Sequence, residues 1–103
     1  MAEWIDVCAA GDLKPGERKI VATDVAEIAV FNLDGELFAV EDVCTHDGGE
    51  LASGVLDGDQ IICPRHGARF CIRNGKVLSP PAYEDIETFP VRTDQGVVQI
   101  DIE

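Results

Sequence analysis

The chain contains two histidines, and each lies within three residues of a cysteine: Cys44-Thr45-His46 and, sixteen residues further on, Cys63-Pro64-Arg65-His66. Thiolate and imidazole are metal ligands, and each mixed pair is spaced to pinch one metal atom or one edge of a cluster. Gly48, Gly49, Gly54 and Gly58 crowd the same stretch, and Pro64 would interrupt a strand ladder, so both pairs are expected on loops. Unpaired or disulfide-linked cysteines beside exposed histidines fit the residues poorly, because disulfides are rare in the cytosol and nothing suggests secretion. A zinc ion held by two thiolates and two imidazoles is sound chemistry, yet the usual finger pairs Cys with Cys and His with His.

Those loops need strands to carry them. In AEIAVFNLDGELFAVED, two β-rich runs flank Asp34-Gly35, the composition of a tight hairpin turn, and ARFCIRNGKVLS repeats the device at Asn74-Gly75. The terminal VVQIDIE alternates Val98, Ile100 and Ile102 with Gln99, Asp101 and Glu103, which predicts a strand with one buried and one wet face. ERKIVA and EDIETFPVRT read as further strands, and CAAGDLKPG holds room for one short helical turn. Short strands at close spacing, with little helix signal, imply an all-β fold, a small antiparallel sandwich or barrel.

With C-x-H, sixteen residues and C-x-x-H in place, the chain resembles the Rieske [2Fe–2S] proteins. The likeness extends to Gly67 after the second box and to the segments GDLKPGE, VLDGDQIICPRHGARF, RNGKV and SPPA, so it covers essentially the whole chain. The resemblance implies one Rieske-type [2Fe–2S] cluster per chain. Cys44 and Cys63 would ligate the inner iron, and His46 and His66 the outer, more exposed one. It implies one domain over residues 1–103, with a cluster-binding subdomain made of two loops at about 43–50 and 62–69. One Cys and one His on each loop would let the loops clamp the cluster from opposite sides.

Exchanging two thiolates for neutral imidazoles makes an added electron easier to accept, so the family spans about −150 to +300 mV against about −400 mV for plant-type ferredoxins. In the high-potential members each loop carries a further Cys, the two forming a disulfide; the matching places here are Gly49 and Arg65. Hydroxyls that hydrogen-bond sulfurs in those proteins correspond to Ala68 and Phe70. A potential in the lower part of the span follows.

Other residues of these loops carry secondary expectations. Backbone N–H groups of Gly48, Gly49 and Gly67 are candidates for close approach to the sulfides. By resemblance, Pro80, Pro81 and Ala82 form the loop shielding the third side of the cluster. Arg65, between Cys63 and His66, is placed to reach a partner's carboxylate or to screen the reduced cluster, with solvation as its expected use; Asp47 is expected to act weakly on His46, and Cys71, which like Cys8 falls outside the ligand spacing, to be a small buried hydrophobe.

The chain of 103 residues carries 8 basic and 20 acidic residues, a formal net charge of −12, which disfavours nucleic acid and suits a basic protein surface. No apolar run approaches a membrane span, and the N-terminus lacks the pattern of a signal peptide, so a soluble, cytoplasmic protein is expected. With both histidines engaged, no nucleophile–base pair, 2-His-1-carboxylate iron site or dinucleotide fingerprint remains, which points to electron transfer and away from catalysis. Among stand-alone members the chain is similar to ferredoxin components of bacterial ring-hydroxylating dioxygenase systems. That implies a monomeric carrier passing single electrons from an NAD(P)H-dependent flavoprotein reductase to a terminal non-haem iron oxygenase. Service to another acceptor, a place as small subunit of a larger reductase, and a non-catalytic redox-sensing module are the alternatives.

Overall fold

A computed structural model of the chain describes residues 2–44 and 49–103. Eleven strands in these segments form three antiparallel sheets. The first sheet places β11 (Val97–Asp101) between β1 (Trp4–Ala9) and β10 (Val91–Asp94). The second runs β2 (Arg18–Ala22), β3 (Glu27–Leu33), β4 (Glu36–Glu41) and β9 (Thr88–Phe89). The third runs β5 (Val55–Asp57), β6 (Gln60–Ile62), β7 (Arg69–Cys71) and β8 (Val77–Ser79). The expected all-β architecture is therefore present, with the two Cys/His loops joined to a sheet of their own that the sequence did not announce, and among the described residues its one helical piece is a short 3-10 turn at Ala10–Asp12, within CAAGDLKPG.

The middle sheet is covered on both sides, and β3 shows why. Its sequence is apolar almost without interruption, the pattern of a strand buried on both faces. Ile28 and Val30 point into a core shared with Leu13, Val98, Ile100 and Ile102. Ala29, Phe31 and Leu33 alternate into a second core with Ile61, Phe70, Ile72 and both loop cysteines, Cys44 and Cys63. The middle sheet is thus the wall common to the sandwich and to the loop-bearing sheet. Val98, Ile100 and Ile102 are buried as the period of two required.

Turn chemistry fixes the registers. Asp34 and Gly35 both adopt positive φ, 54° and 96°, and join Leu33 to Glu36 as a two-residue hairpin, as expected from the dipeptide. Gln95-Gly96 does the same between β10 and β11, with φ of 51° and 78°, a hairpin whose only sequence signal was its glycine. The hairpin expected at Asn74-Gly75 is present with a longer connection. It is closed by the N–H groups of Cys71 and Gly75, which donate to the carbonyls of Lys76 and Cys71 at 2.8 Å, while the fully buried Ile72 gives its N–H to the Asp59 carbonyl at 2.8 Å and so extends the pairing with β6. The segment EDIETFPVRT divides at Pro90: β9 pairs with β4, whereas β10 pairs with β11.

The glycine-rich stretch between the two Cys/His pairs holds more order than its composition suggests. β5 and β6 form a hairpin through Gly58-Asp59, with Gly58 at a φ of 63°. Two arginines tie this sheet to the sandwich. Arg18 on β2 donates from Nη1 to the carbonyls of Ala52 and Gly54 at 2.6 and 2.7 Å. Arg73 lies over the Phe38 ring and pairs with Asp59 and Glu36. Among the described residues no helix is long and apolar enough to cross a membrane.

Candidate metal centre on two loops

Cys44 follows β4 and Cys63 follows β6, both outside strands, as the glycines and Pro64 required. The two loops close in the same way. The Cys44 N–H donates to the Gly49 carbonyl at 2.8 Å, and the Cys63 N–H to the Ala68 carbonyl at 2.7 Å, so each cysteine is bonded to the residue five positions on. In the second loop the Gly67 N–H also donates to the Cys63 carbonyl at 3.1 Å, with Gly67 at a φ of 77°. That corrects the expectation for Gly67: its N–H closes the turn, and its positive φ explains the glycine.

The base of the first loop is held by a residue that sequence reasoning missed. Asp42 is buried, and its Oδ1 accepts from the N–H groups of Leu51 and Ala52 at 2.8 and 2.7 Å. Its own N–H donates to the Glu27 carbonyl at 2.8 Å, so one residue joins β3 to both ends of the loop. An acidic side chain two positions before a candidate ligand was the available signal. Nothing local distinguished it from the many exposed acids of the chain.

The cysteines meet although their loops are far apart in sequence. Cys44 is 0% and Cys63 2% exposed; both are free of disulfides, and the Cys44 thiol hydrogen-bonds the Cys63 sulfur. Burial pushes the Cys63 thiol up, but it is outweighed by hydrogen bonds from the Arg65 N–H, the Cys44 thiol and the His66 N–H, together with the Arg65 charge. The thiol is held below its ordinary value, toward the thiolate a metal requires. His66 is exposed at the outer side of the same loop. His46, with Asp47 and Gly48, lies outside the described residues. Among the described residues no group of three or more His, Cys, Asp and Glu is placed to hold one metal ion.

Several neighbours differ from expectation. Arg65 is not simply solvated: its Nη2 donates to the Glu50 carbonyl at 2.9 Å and stands 3.8 Å from Cys63 Sγ. Cys71 is half-buried at the end of β7, paired across the sheet with Gln60, where its thiol reaches the sheet surface instead of the core. Cys8 is half-buried against the sandwich core. Ala68 and Phe70 are fully buried beside the cysteines and bring no hydroxyl to them. Ala82 is buried in the same core as Cys44 and Cys63, so the segment after Pro80-Pro81 packs on this end of the molecule.

Two buried, touching sulfurs, one biased toward thiolate, with an imidazole outside them on a closed loop, are donors that suit an iron–sulfur cluster with an inner thiolate side and an outer imidazole side. The Rieske [2Fe–2S] domain model matches residues 3–90. The chain is 42% identical over 95 residues to the biphenyl dioxygenase ferredoxin subunit of Pseudomonas sp. (strain KKS102), covering 91% of this chain and 87% of that protein. It is 34% identical over 100 residues to the ferredoxin component of the naphthalene 1,2-dioxygenase system of Pseudomonas putida, covering 97% and 96% of the two chains. Its fold superposes with a TM-score of 0.90, at 37% identity, on a chain from a complex of reduced oxygenase and oxidised ferredoxin in carbazole 1,9a-dioxygenase, covering 95% of this chain and 92% of that one. The loop geometry, the donor set and these relatives together show that the chain belongs to the Rieske [2Fe–2S] family and carries one such cluster.

Proposed function

We propose that this protein is the ferredoxin of a ring-hydroxylating dioxygenase system, a non-enzymatic carrier that takes single electrons from an NAD(P)H-dependent flavoprotein reductase and gives them to a terminal non-haem iron oxygenase. The observation that carries the reading is the polarity of the site: Cys44 and Cys63 are sealed in the core, whereas His66 faces solvent. When bound, the cluster supplies a one-electron acceptor and donor. Cys44 and Cys63 would hold its inner iron, and His46 and His66 the outer one. The relatives named for dioxygenase ferredoxins, and the neighbour found with an oxygenase, support this choice of partner.

The residues explain how a carrier of this kind would work. The closed loops and the Asp42 staple fix the thiols, so little of the chain has to move when charge is added. An exposed imidazole brings the redox centre close to whatever docks there. Tyr83 is 82% exposed and Leu78 48% exposed; both flank Pro80, Pro81 and the buried Ala82, and so place apolar contact surface at the cluster end of the molecule. The −12 charge suits basic surfaces on both partners and weak, reversible association. Residues 1–103 would act as one monomeric, cytoplasmic, cluster-bearing unit.

The test combines spectroscopy with transfer. EPR of the dithionite-reduced protein, with iron and sulfide assayed on the same sample, should show the rhombic, low-average-g signal of a mixed His/Cys centre, lost in His66→Ala. Rapid mixing of the reduced protein with the oxygenase component of a biphenyl dioxygenase system should then reoxidise one electron per chain. Binding of one oxidation state without transfer would replace the carrier by a redox-sensing module, and a zinc-containing, sulfide-free sample would remove the redox reading altogether.

A further inference from the structure

Gly49 and Arg65 stand on opposite loops and are in contact. Gly49 has no positive φ, so backbone conformation does not explain the glycine. Space does: a Cβ there would overlap Cζ and Nη2 of Arg65, so the guanidinium lies flat on the bare backbone of the first loop. From that seat Nη2 reaches the Glu50 carbonyl at 2.9 Å, one residue further along the first loop, and stands 3.8 Å from Cys63 Sγ on the second. A planar fork on a long stem can make these contacts together, whereas an ammonium is a point charge that cannot cover a surface.

We propose that Arg65 is a positioning residue, a non-covalent clasp that holds the two ligand loops together and fixes a positive charge beside the Cys63 sulfur. This rests on Cys63 being a cluster ligand. The clasp should slow the parting of the loops and therefore cluster loss. The charge should favour the reduced state, because an added electron is attracted to it. At about 4 Å from a buried sulfur, but with the arginine itself exposed to solvent that screens its charge, its removal should make reduction about three- to tenfold less favourable. That is about 28–59 mV in midpoint potential, at 59 mV per tenfold for one electron.

The experiment compares the cluster-loaded wild type with Arg65→Gln, Arg65→Lys and Gly49→Ala. Two readouts are taken, the rate at which the visible spectrum bleaches in excess chelator and the midpoint potential. Arg65→Gln should bleach at least threefold faster and show the lowered potential. Arg65→Lys should bleach as fast but retain most of the potential, since the charge survives without the fork. Gly49→Ala should bleach faster with the arginine still present, because the methyl displaces only the end of a flexible side chain and leaves the backbone unstrained. This variant keeps the test decisive if Arg65→Gln takes up cluster poorly. Wild-type bleaching in both Arg65→Gln and Gly49→Ala would overturn the clasp, and equal potentials in wild type and Arg65→Gln would overturn the charge effect. Absence of a Rieske spectrum from the wild type itself would instead overturn the cluster assignment, before any substitution is compared.

Discussion

Replacing Asp42 by alanine removes the one oxygen that accepts from two buried N–H groups, those of Leu51 and Ala52. Leu51 is 1% and Ala52 5% exposed, so water has little access to take the carboxylate's place. Each orphaned donor costs about 1–3 kcal/mol, which gives about 2–6 kcal/mol for the pair, with about 3 kcal/mol a fair centre once some local relaxation is allowed. On a chain of this length that corresponds to a fall of about 12–24 °C in Tm. Asp42→Asn retains a carbonyl oxygen at the same place but loses the charge, so it should cost about half as much, since bonds to a charged acceptor are about twice as strong. The assay is urea unfolding of the cluster-free protein, with cluster loss in chelator followed separately. The first readout isolates the fold and the second the loop. Asp42→Ala should lower the midpoint at unchanged m, and the loaded protein should lose its cluster faster. Stability within about 0.5 kcal/mol of wild type, the range of an ordinary surface substitution, would refute the reasoning.

Gly54→Ala should destabilise by about 1–3 kcal/mol in the same assay, because a Cβ there would overlap the Ile62 carbonyl oxygen, whereas Gly11→Ala meets open space and should be neutral. Asp101 is held below the usual carboxylate range by hydrogen bonds from the N–H groups of Glu103 and Glu3, with Arg92 adding to the effect. Its contribution is therefore present above the ordinary pKa of about 3.9 and lost as pH falls through the lower folded value, so the Tm gap between wild type and Asp101→Asn should close between neutral and strongly acid pH. The midpoint potential should fall in the lower part of the family span, below about +100 mV, in a redox titration. Electron delivery to the oxygenase should slow as ionic strength rises from about 0.05 to about 0.5 M, and an indifferent rate would exclude electrostatic steering.

What the sequence made legible was whatever local chemistry dictates. Asp34-Gly35 announces a hairpin because few other dipeptides accept two positive φ values in succession, and VVQIDIE announces its buried face because the period of a strand leaves no choice. The ligand spacing was visible for the same reason: C-x-H and C-x-x-H are local patterns. What stayed hidden depended on contacts between distant residues. Arg18 bonds carbonyls more than thirty positions away, and Asp42 staples a loop whose far end is nine or ten residues on. Arg65 was read as solvated because neither its fit to Gly49 nor its bond to Glu50 is written in the nearby sequence.

The arrangement of these hidden contacts bears on how a small chain carries a redox centre. A reorganising protein would oppose transfer, since every group that shifts when the electron arrives adds to the barrier. Here the loops are tethered mostly through backbone groups. Cys44 N–H is fixed to Gly49, Cys63 N–H to Ala68, Leu51 and Ala52 to Asp42, and the Ala52 and Gly54 carbonyls to Arg18. The Asp42 tether rests in turn on β3 through its N–H to the Glu27 carbonyl, and the Arg18 tether on β2 beside it, with β3 gripped by both cores at once. The two cysteines, at the ends of β4 and β6, thus pack in one core with the β3 side chains, while the exposed His66 lies at the rim where a partner would arrive. Rigid backbone inside and polar, accessible side chain outside would keep docking from disturbing the thiolates. Substitutions of rim residues that do not touch the cysteines should therefore change transfer rates with little effect on potential, whereas Asp42→Ala, which frees the Leu51 and Ala52 N–H groups, should let the loop shift with the charge and so slow transfer to any partner.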